Sequence, residues 1–349
     1  FANPGEASPM LINLGVLLSG MRLVQGHTVL DFGAGTGWLS RSLAQMGCRM
    51  IVMDVSPTAL RVAEEHFGEA AHRPRFVLFD GYTIDLPDES VDRIVCFDAF
   101  HHVPNPDRVL RELGRVLKPG GLAAFSEPGP HHSKSALSQF EMRTYGVLEN
   151  DVDIHAIWNV ARECGFADLH LAAFSGTPPR IRLEQFDELL RGGDALLDAA
   201  DEMRKFLQNV RIFYLQKAGT EEVDSRTISA LACRIEATLG PVRSGEPIAV
   251  TATVVNTGSA TWLPADTKPG GVSLGCHLYS RGALVQFDYH WQGLADRPIA
   301  PGEEVRVEFR MPPLPPGEYD LEFDCVANEV TWFAQVGSTP CRLSRIRVA

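Results

Sequence analysis

The sequence predicts an α/β fold, a doubly wound and mainly parallel seven-stranded sheet, followed by an all-β immunoglobulin-like sandwich. Three observations carry that expectation. Up to about residue 218, short apolar runs alternate with helical stretches, the pattern of parallel strands covered on both faces. The first apolar run, Val29-Leu30, enters a loop with glycine at every second position: Gly33, Gly35 and Gly37. After Gly219 the helices stop and short alternating strands replace them.

The bulk properties agree with a two-domain reading. A chain of 349 residues with 45% hydrophobic content can bury sizeable cores, and domains run to roughly 100–200 residues each. The formal net charge of -12 opposes a phosphate backbone, and no Lys/Arg run reverses it locally, so nucleic acid is not expected as a partner. The seven cysteines are scattered singly without a C-x-x-C pair, which reads as reduced core thiols. No stretch approaches the ~18–20 apolar residues of a membrane helix, and no basic stretch precedes an apolar core near Phe1, so a cytoplasmic location is expected.

Taken in order, Ser8 to Met21 reads as a helix with Ser8 as N-cap and Pro9 at its first position. The first strand ends in Asp31 and the glycine loop. Glycine permits positive φ and close approach of a ligand to backbone. The spacing is not that of a dinucleotide fingerprint, G-x-G-x-x-G, because the third glycine arrives one residue early and Trp38 stands where it belongs. A helix Trp38–Met46 follows, then a strand Arg49–Met53 that stops at Asp54. About 20 positions beyond the glycine loop, such an acid is placed to accept from ribose hydroxyls. Helix Pro57–Phe67 and strand Phe76–Phe79 lead to Asp80-Gly81. Strand Arg93–Phe97 delivers Asp98, and helix Asp107–Leu117 precedes the turn Lys118–Gly121. The fifth strand, Leu122–Ser126, carries Glu127 at its tip. Helix Asp151–Cys164 and strand Asp168–Phe174 come next. A charged helical insertion at about 180–209 then intervenes, with Gly192-Gly193 as a break and Glu184, Asp187, Glu188, Asp194, Asp198 and Asp201 on an acidic face. The final strand is Val210–Leu215.

Leu30 to Gly37, Asp54, Asp80-Gly81, the run Asp98 to Val103 and the segment Arg115 to Gly121 together resemble a class I S-adenosylmethionine-dependent methyltransferase of Rossmann-like fold. The resemblance implies S-adenosyl-L-methionine as cofactor. Carried over by position, Asp31 and the loop Gly33, Ala34, Gly35 and Gly37 face the methionine moiety, Asp54, followed by Val55, the ribose, and Asp80 with Gly81 the adenine. Asp98 is a further cofactor-binding position, and His101 falls near the sulfonium end.

A polar linker, Thr220 to about residue 228, separates a first domain (1–219) from a second (229–349). The strands expected there are 230–237, 248–255, 272–278, 284–289, 305–311, 319–324 and 342–348, a count that suits an immunoglobulin-like sandwich. Val255 to Trp262, Gly275 to Tyr279, Ala300 to Glu303, Pro316 to Tyr319 and Val330 to Phe333 resemble the sugar-recognising sandwich domains of bacterial polysaccharide synthesis and export proteins. That resemblance implies a glycan partner, with Trp and Tyr available to stack on sugar rings. Trp262, Trp291 and Trp332 are themselves expected in core or turn packing.

Methyl transfer needs in-line alignment, and a hydroxyl acceptor also needs a base. The loop Glu127 to Ser133 overhangs the acceptor side, so His132, then His131 and Glu127, are the candidate bases, histidine having an unperturbed pKa nearest neutrality. No metal site is expected, because adjacent histidines point apart and no helix carries H-x-x-x-H. The function expected is methylation of a hydroxyl or amino group on a sugar, nucleotide-sugar or glycan. The alternatives are a small-metabolite methyltransferase whose sandwich makes a homo-dimer, and a glycan-binding scaffold without chemistry.

Overall fold

The structure is a computed structural model, and it describes residues 4–68, 73–174, 182–192 and 195–349. The chain divides into two units, Phe1–Glu221 and Glu222–Ala349, with the division inside the expected linker.

The first unit holds a seven-stranded sheet: β1 (Thr28–Phe32), β2 (Arg49–Asp54), β3 (Arg75–Leu78), β4 (Val91–Phe97), β5 (Leu117–Pro128), β6 (Phe166–Leu171) and β7 (Val210–Lys217). Its order is β3-β2-β1-β4-β5-β7-β6. The strands from β3 across to β5 are parallel, and β7 runs antiparallel to both its neighbours. Alternate residues feed opposite faces: Leu30, Ile51 and Ile94 enter one core, and Val29, Val52 and Val95 enter the other. Burial on both faces is what makes these strands read as continuous apolar runs. The helices are α1 (Pro4–Gly20), α2 (Trp38–Gln45), α3 (Pro57–Phe67), α4 (Pro106–Val116), α5 (Ala136–Tyr145), α6 (Ile154–Ala161), α7 (Leu183–Leu190) and α8 (Ala195–Asn209).

Several boundaries differ from expectation. Helix α1 begins at Pro4, so Ser8 is not its cap, and Pro9 lies inside the helix, where it removes a single i→i−4 bond. Strand β5 starts at Leu117: Leu117 pairs with Val91 and Leu122 with Arg93, so the Lys118–Gly121 turn is a bulge within the strand. Helix α6 begins after Asp153, whose carboxylate accepts from the His155 and Ala156 N–H groups, and Asp151 lies outside it. Helix α5 is absent from the sequence expectations, although Ser135 at its N-cap accepts from Ser138 N–H and Gly146 closes it at φ 67°. In the insertion, Pro178, Pro179, Gly193, Asp194 and the side chains of Glu184, Glu188 and Asp198 lie outside the described residues.

The second unit is all-β. One sheet is β12-β9-β8, from β8 (Cys233–Leu239), β9 (Ile248–Asn256) and β12 (Glu304–Met311). The other contains β10 (Val272–Ser280), β11 (Ala283–Gly293), β13 (Gly317–Ala327), β14 (Thr331–Trp332) and β15 (Cys341–Val348). Both sheets contribute to one core, Val250 and Val254 from the first and Leu274, Cys276 and Phe323 from the second. Trp262 belongs to that core with 0% exposure. Trp291 and Trp332 do not: Leu274, Cys276 and Leu278 occupy the inward face of β10, so Gly275 and its cross-strand partner Trp291 face outward. All seven cysteines are free.

Among the described residues no helix is long and apolar enough to cross a membrane.

Candidate functional site

The carboxyl ends of β1, β2, β4 and β5 build one continuous constellation. The glycine loop is tied to β2, since Gly33 and Ala34 N–H both donate to Met53 C=O at 3.0 and 2.9 Å. Asp54 closes the loop: its Oδ2 accepts from Gly35 N–H and its Oδ1 from Ser56 N–H, both at 2.8 Å. Gly35 has φ +55°, and a Cβ added there would meet nothing within 4 Å. The loop therefore leaves an open cradle of backbone beside a carboxylate, which fits the ribose and methionine portions of a nucleoside donor. Gly33 serves packing instead: at φ +73° a Cβ would lie 2.4 Å from Ala99 Cβ. Asp31 is buried beneath the loop, with Ser40 Oγ donating to it at 2.5 Å, and burial pushes its pKa up to about 6 despite that bond.

Asp80 is exposed, and its Oδ1 accepts from Thr83 and Tyr82 N–H at 2.7 Å, bonds that hold its pKa below the usual carboxylate value. Gly81 follows with φ +87°. Val55 stands 64% exposed after Asp54, an apolar surface beside that carboxylate. Asp98 sits at the end of β4 in left-handed backbone (φ 56°), exposed, with its Oδ1 4.0 Å from His101 Nδ1.

Glu127 is fully enclosed. Its Oε1 accepts from Ala99 and Phe100 N–H at 3.1 and 2.8 Å, and its Oε2 lies 2.7 Å from His101 Nδ1. It thus holds the short 3₁₀ turn Phe100–His102 in place, with both carboxylate oxygens engaged by that turn. Burial works against a charged His101, but the Glu127 bond and the charges of Glu127, Asp98 and Glu149 outweigh it, so its pKa rises.

His132 lies in a second 3₁₀ turn, His132–Lys134, and its Nε2 is 2.7 Å from Glu149 Oε2 and 3.2 Å from Ser138 Oγ. His131 caps that turn in left-handed backbone (φ 71°) and is exposed, outside the cluster. Glu149 is the residue that sequence reasoning missed. It is 3% exposed between the ends of the two histidine-bearing turns, and its flanks, Leu148 and Asn150, carry no motif. His101 Nε2 lies 3.6 Å from Glu149 Oε2 and His102 Nδ1 3.4 Å from Glu149 Oε1, so both histidines of the first pair, together with His132, converge on this carboxylate. The expectation that adjacent histidines point apart fails for the first pair, whose ring centroids lie 3.9 Å apart on the 3₁₀ turn, and the two histidine-bearing loops also face each other above adjacent strands. His101, His132 and Glu149 each offer a ligand atom within 4.8 Å of the others, a set with the chemistry to hold a divalent ion. His155, on the exposed start of α6, is not among them. A cavity of about 290 Å³ opens beside the cluster, walled by His101, Val103, Asp107 and Asn150.

Comparison with known proteins bears on the first unit. A curated relative named as an uncharacterized methyltransferase of Mycobacteroides abscessus is 36% identical over 104 residues, 30% of this chain and 40% of the relative. A ubiquinone biosynthesis O-methyltransferase of Xanthomonas oryzae is 35% identical over 99 residues, 28% of this chain and 41% of that protein. The chain thus spans about two fifths of the length of these relatives. A solved S-adenosylmethionine dependent methyltransferase from Mesorhizobium loti superposes with a TM-score of 0.45 at 20% identity, over 58% of this chain and 96% of that one. Residues 30–125 match the family model described as "Methyltransferase domain", a similarity that lies within the first unit.

Proposed function

We propose that the protein is an S-adenosylmethionine-dependent methyltransferase that acts on a hydroxyl or amino group of a sugar, nucleotide-sugar or glycan. The observation that carries this reading is the unbroken path from donor cradle to candidate base. Gly33 packs on Ala99, whose N–H is held by Glu127, which holds His101, and His101 and His132 meet at Glu149. S-Adenosylmethionine supplies an electrophilic methyl group on a sulfonium. Asp54 takes the ribose hydroxyls, Asp80 with Gly81 the adenine amino group beside Val55, and Asp31 with Gly33, Ala34, Gly35 and Gly37 the methionine end. His132 accepts the acceptor's proton. Glu149 receives the Nε2 hydrogen and so leaves Nδ1 with the lone pair, the arrangement by which a carboxylate selects a tautomer. His101 and Asp98 border the transfer path.

The acceptor class rests on the second unit, which we read as an immunoglobulin-like sandwich. On the outer face of its larger sheet, Trp291 and Trp332 meet edge to face at 5.5 Å, and Phe287 stacks on His277 at 4.3 Å. Trp291 is 42% exposed and Phe287 47%. Exposed aromatic faces of this kind suit the C–H faces of sugar rings. A glycan held by the same chain also meets the enzyme at raised effective concentration.

The test is calorimetric titration of S-adenosylhomocysteine into the full chain. Wild type is expected to bind one equivalent, and Asp54→Ala to bind at least about tenfold more weakly, because two backbone N–H groups lose their acceptor together with the ribose contact. Failure of the wild type to bind would refute the cofactor assignment. Methyl transfer from labelled donor to sugar nucleotides and to polysaccharide, against ubiquinone-like phenols, then decides the acceptor class.

A further inference from the structure

We propose that His101, His132 and Glu149 form a binding site for a divalent transition-metal ion of the zinc class, and that filling it withdraws His132 from proton transfer. The inference rests on the proposed role of His132 only for that second consequence. The site itself stands on geometry.

Three features distinguish the cluster from a chance meeting of polar groups. First, three potential ligand atoms converge: His101 Nε2 and His132 Nε2 lie 3.6 and 2.7 Å from the same oxygen, Glu149 Oε2. Ligands around a tetrahedral ion at metal–ligand distances of about 2.0–2.2 Å stand roughly 3.3 Å apart. The cluster therefore needs to open by only about 0.6 Å at the shorter contact. Second, Glu149 is 3% exposed, and its Oε1 is buried without accepting a hydrogen bond, with His102 Nδ1 3.4 Å away. A carboxylate in that state carries a desolvation cost that a cation bound by one or both oxygens removes. Third, the outer support is already built. Glu127 Oε2 engages His101 Nδ1 at 2.7 Å, which leaves Nε2 as the ligand atom, the carboxylate–histidine–metal arrangement that fixes ring orientation and raises affinity. Two imidazoles and one carboxylate suit zinc, cobalt or nickel better than magnesium or calcium, which prefer oxygen ligands alone.

The tautomer supplies the consequence. A neutral imidazole has one lone pair. In the metal-free protein, Nε2–H of His132 faces Glu149 and Nδ1 is the acceptor. With an ion on Nε2, the proton resides on Nδ1, and the ring has no lone pair for an acceptor hydroxyl. Ion and base function therefore exclude each other at this residue.

The experiment uses chelator-treated full-length protein titrated with zinc chloride by calorimetry and with cobalt chloride by visible absorption, without methyl acceptor. One ion per chain is expected, with the d–d bands of low-coordinate cobalt. Glu149→Gln and His132→Ala are expected to weaken binding at least about tenfold, and Glu127→Gln by about 10–100-fold through loss of support for His101. His155→Ala is expected to bind as wild type. Long-range 1H–15N spectra should show the His132 proton moving from Nε2 to Nδ1 on zinc loading. Absence of stoichiometric binding, equal affinity in Glu149→Gln and wild type, or an Nε2–H that persists in loaded protein would overturn the proposal. S-Adenosylhomocysteine affinity measured on the same samples reports folding of each variant. Its loss in the wild type would refute the methyltransferase reading and leave the ion site standing.

Discussion

At the scale of single residues, the structure separates groups that the sequence makes look alike. Glu127 stands at the end of β5 and His132 in the loop after it, yet Glu127 is engaged by backbone donors and His101 while His132 faces one carboxylate. His132→Ala is therefore expected to leave S-adenosylhomocysteine binding intact and to lower turnover by about 10²–10⁴-fold, the usual contribution of a positioned base. Steady-state kinetics beside calorimetry checks it, and unchanged turnover would remove His132 from the mechanism. Asp324 offers a second test. It is 1% exposed, one oxygen accepts from Ala334 N–H, the other has no partner, and burial raises its pKa to about 6. A folded-state pKa above the unfolded value of about 3.9 means that the native state holds the extra proton, so this group's stabilisation is full below about pH 4 and is lost as pH rises to about 6. The expected fall is roughly 2–3 kcal/mol. Urea melts of wild type and Asp324→Asn between pH 4 and 7.5 should show that this slope is absent in the variant.

At the scale of elements, most of the first unit was legible because periodicity and punctuation coincide there. Strands β1, β2 and β4 are mostly buried and lead into Gly33, Asp54 and Asp98, and α3 has Ser56 accepting from Ala59 N–H just before Pro57. What escaped was set by distant partners. The Lys118–Gly121 bulge depends on pairing with β4, and Glu149 has no local pattern because its role comes from two loops far apart in sequence. The outward tryptophans escaped for a similar reason, since the face a strand residue takes depends on register. Gly275 is the element that fixes this face: a Cβ there would come within 2.3 Å of Trp332 Cη2. Gly275→Ala is expected to displace the Trp332 ring, at a cost of about 1–3 kcal/mol. A red shift in emission should accompany the lower melting point, together with loss of glycan retention if the aromatic face holds sugar. Unaltered emission would show that the ring does not rest on this glycine.

At the scale of the whole molecule, the question is where the second unit begins. Composition puts the linker at 220–228, but the chain from 222 onward already belongs to the sandwich. Thr261 N–H donates to Val223 C=O at 2.9 Å, and Ser225 N–H donates to Thr261 C=O at 3.0 Å. Ser225 is completely buried; its Oγ donates to Gly270 C=O at 2.6 Å and accepts from Leu263 N–H at 2.9 Å. Its side chain therefore satisfies two backbone groups that no local strand pairing reaches, a role that a polar linker composition conceals. A fragment starting at Thr227 leaves those groups and both of Thr261's without partners, at about 0.5–1.5 kcal/mol for each lost bond. The fragment 222–349 is accordingly expected to unfold at a higher urea midpoint than 227–349, by an amount corresponding to a few kcal/mol, with a similar m-value. Equal midpoints would mean that 222–226 only tether the two units. A higher midpoint for the longer piece makes it the proper reagent for a glycan array, because a blank from the shorter one would report damage to the Ser225 contacts as readily as absence of a sugar site.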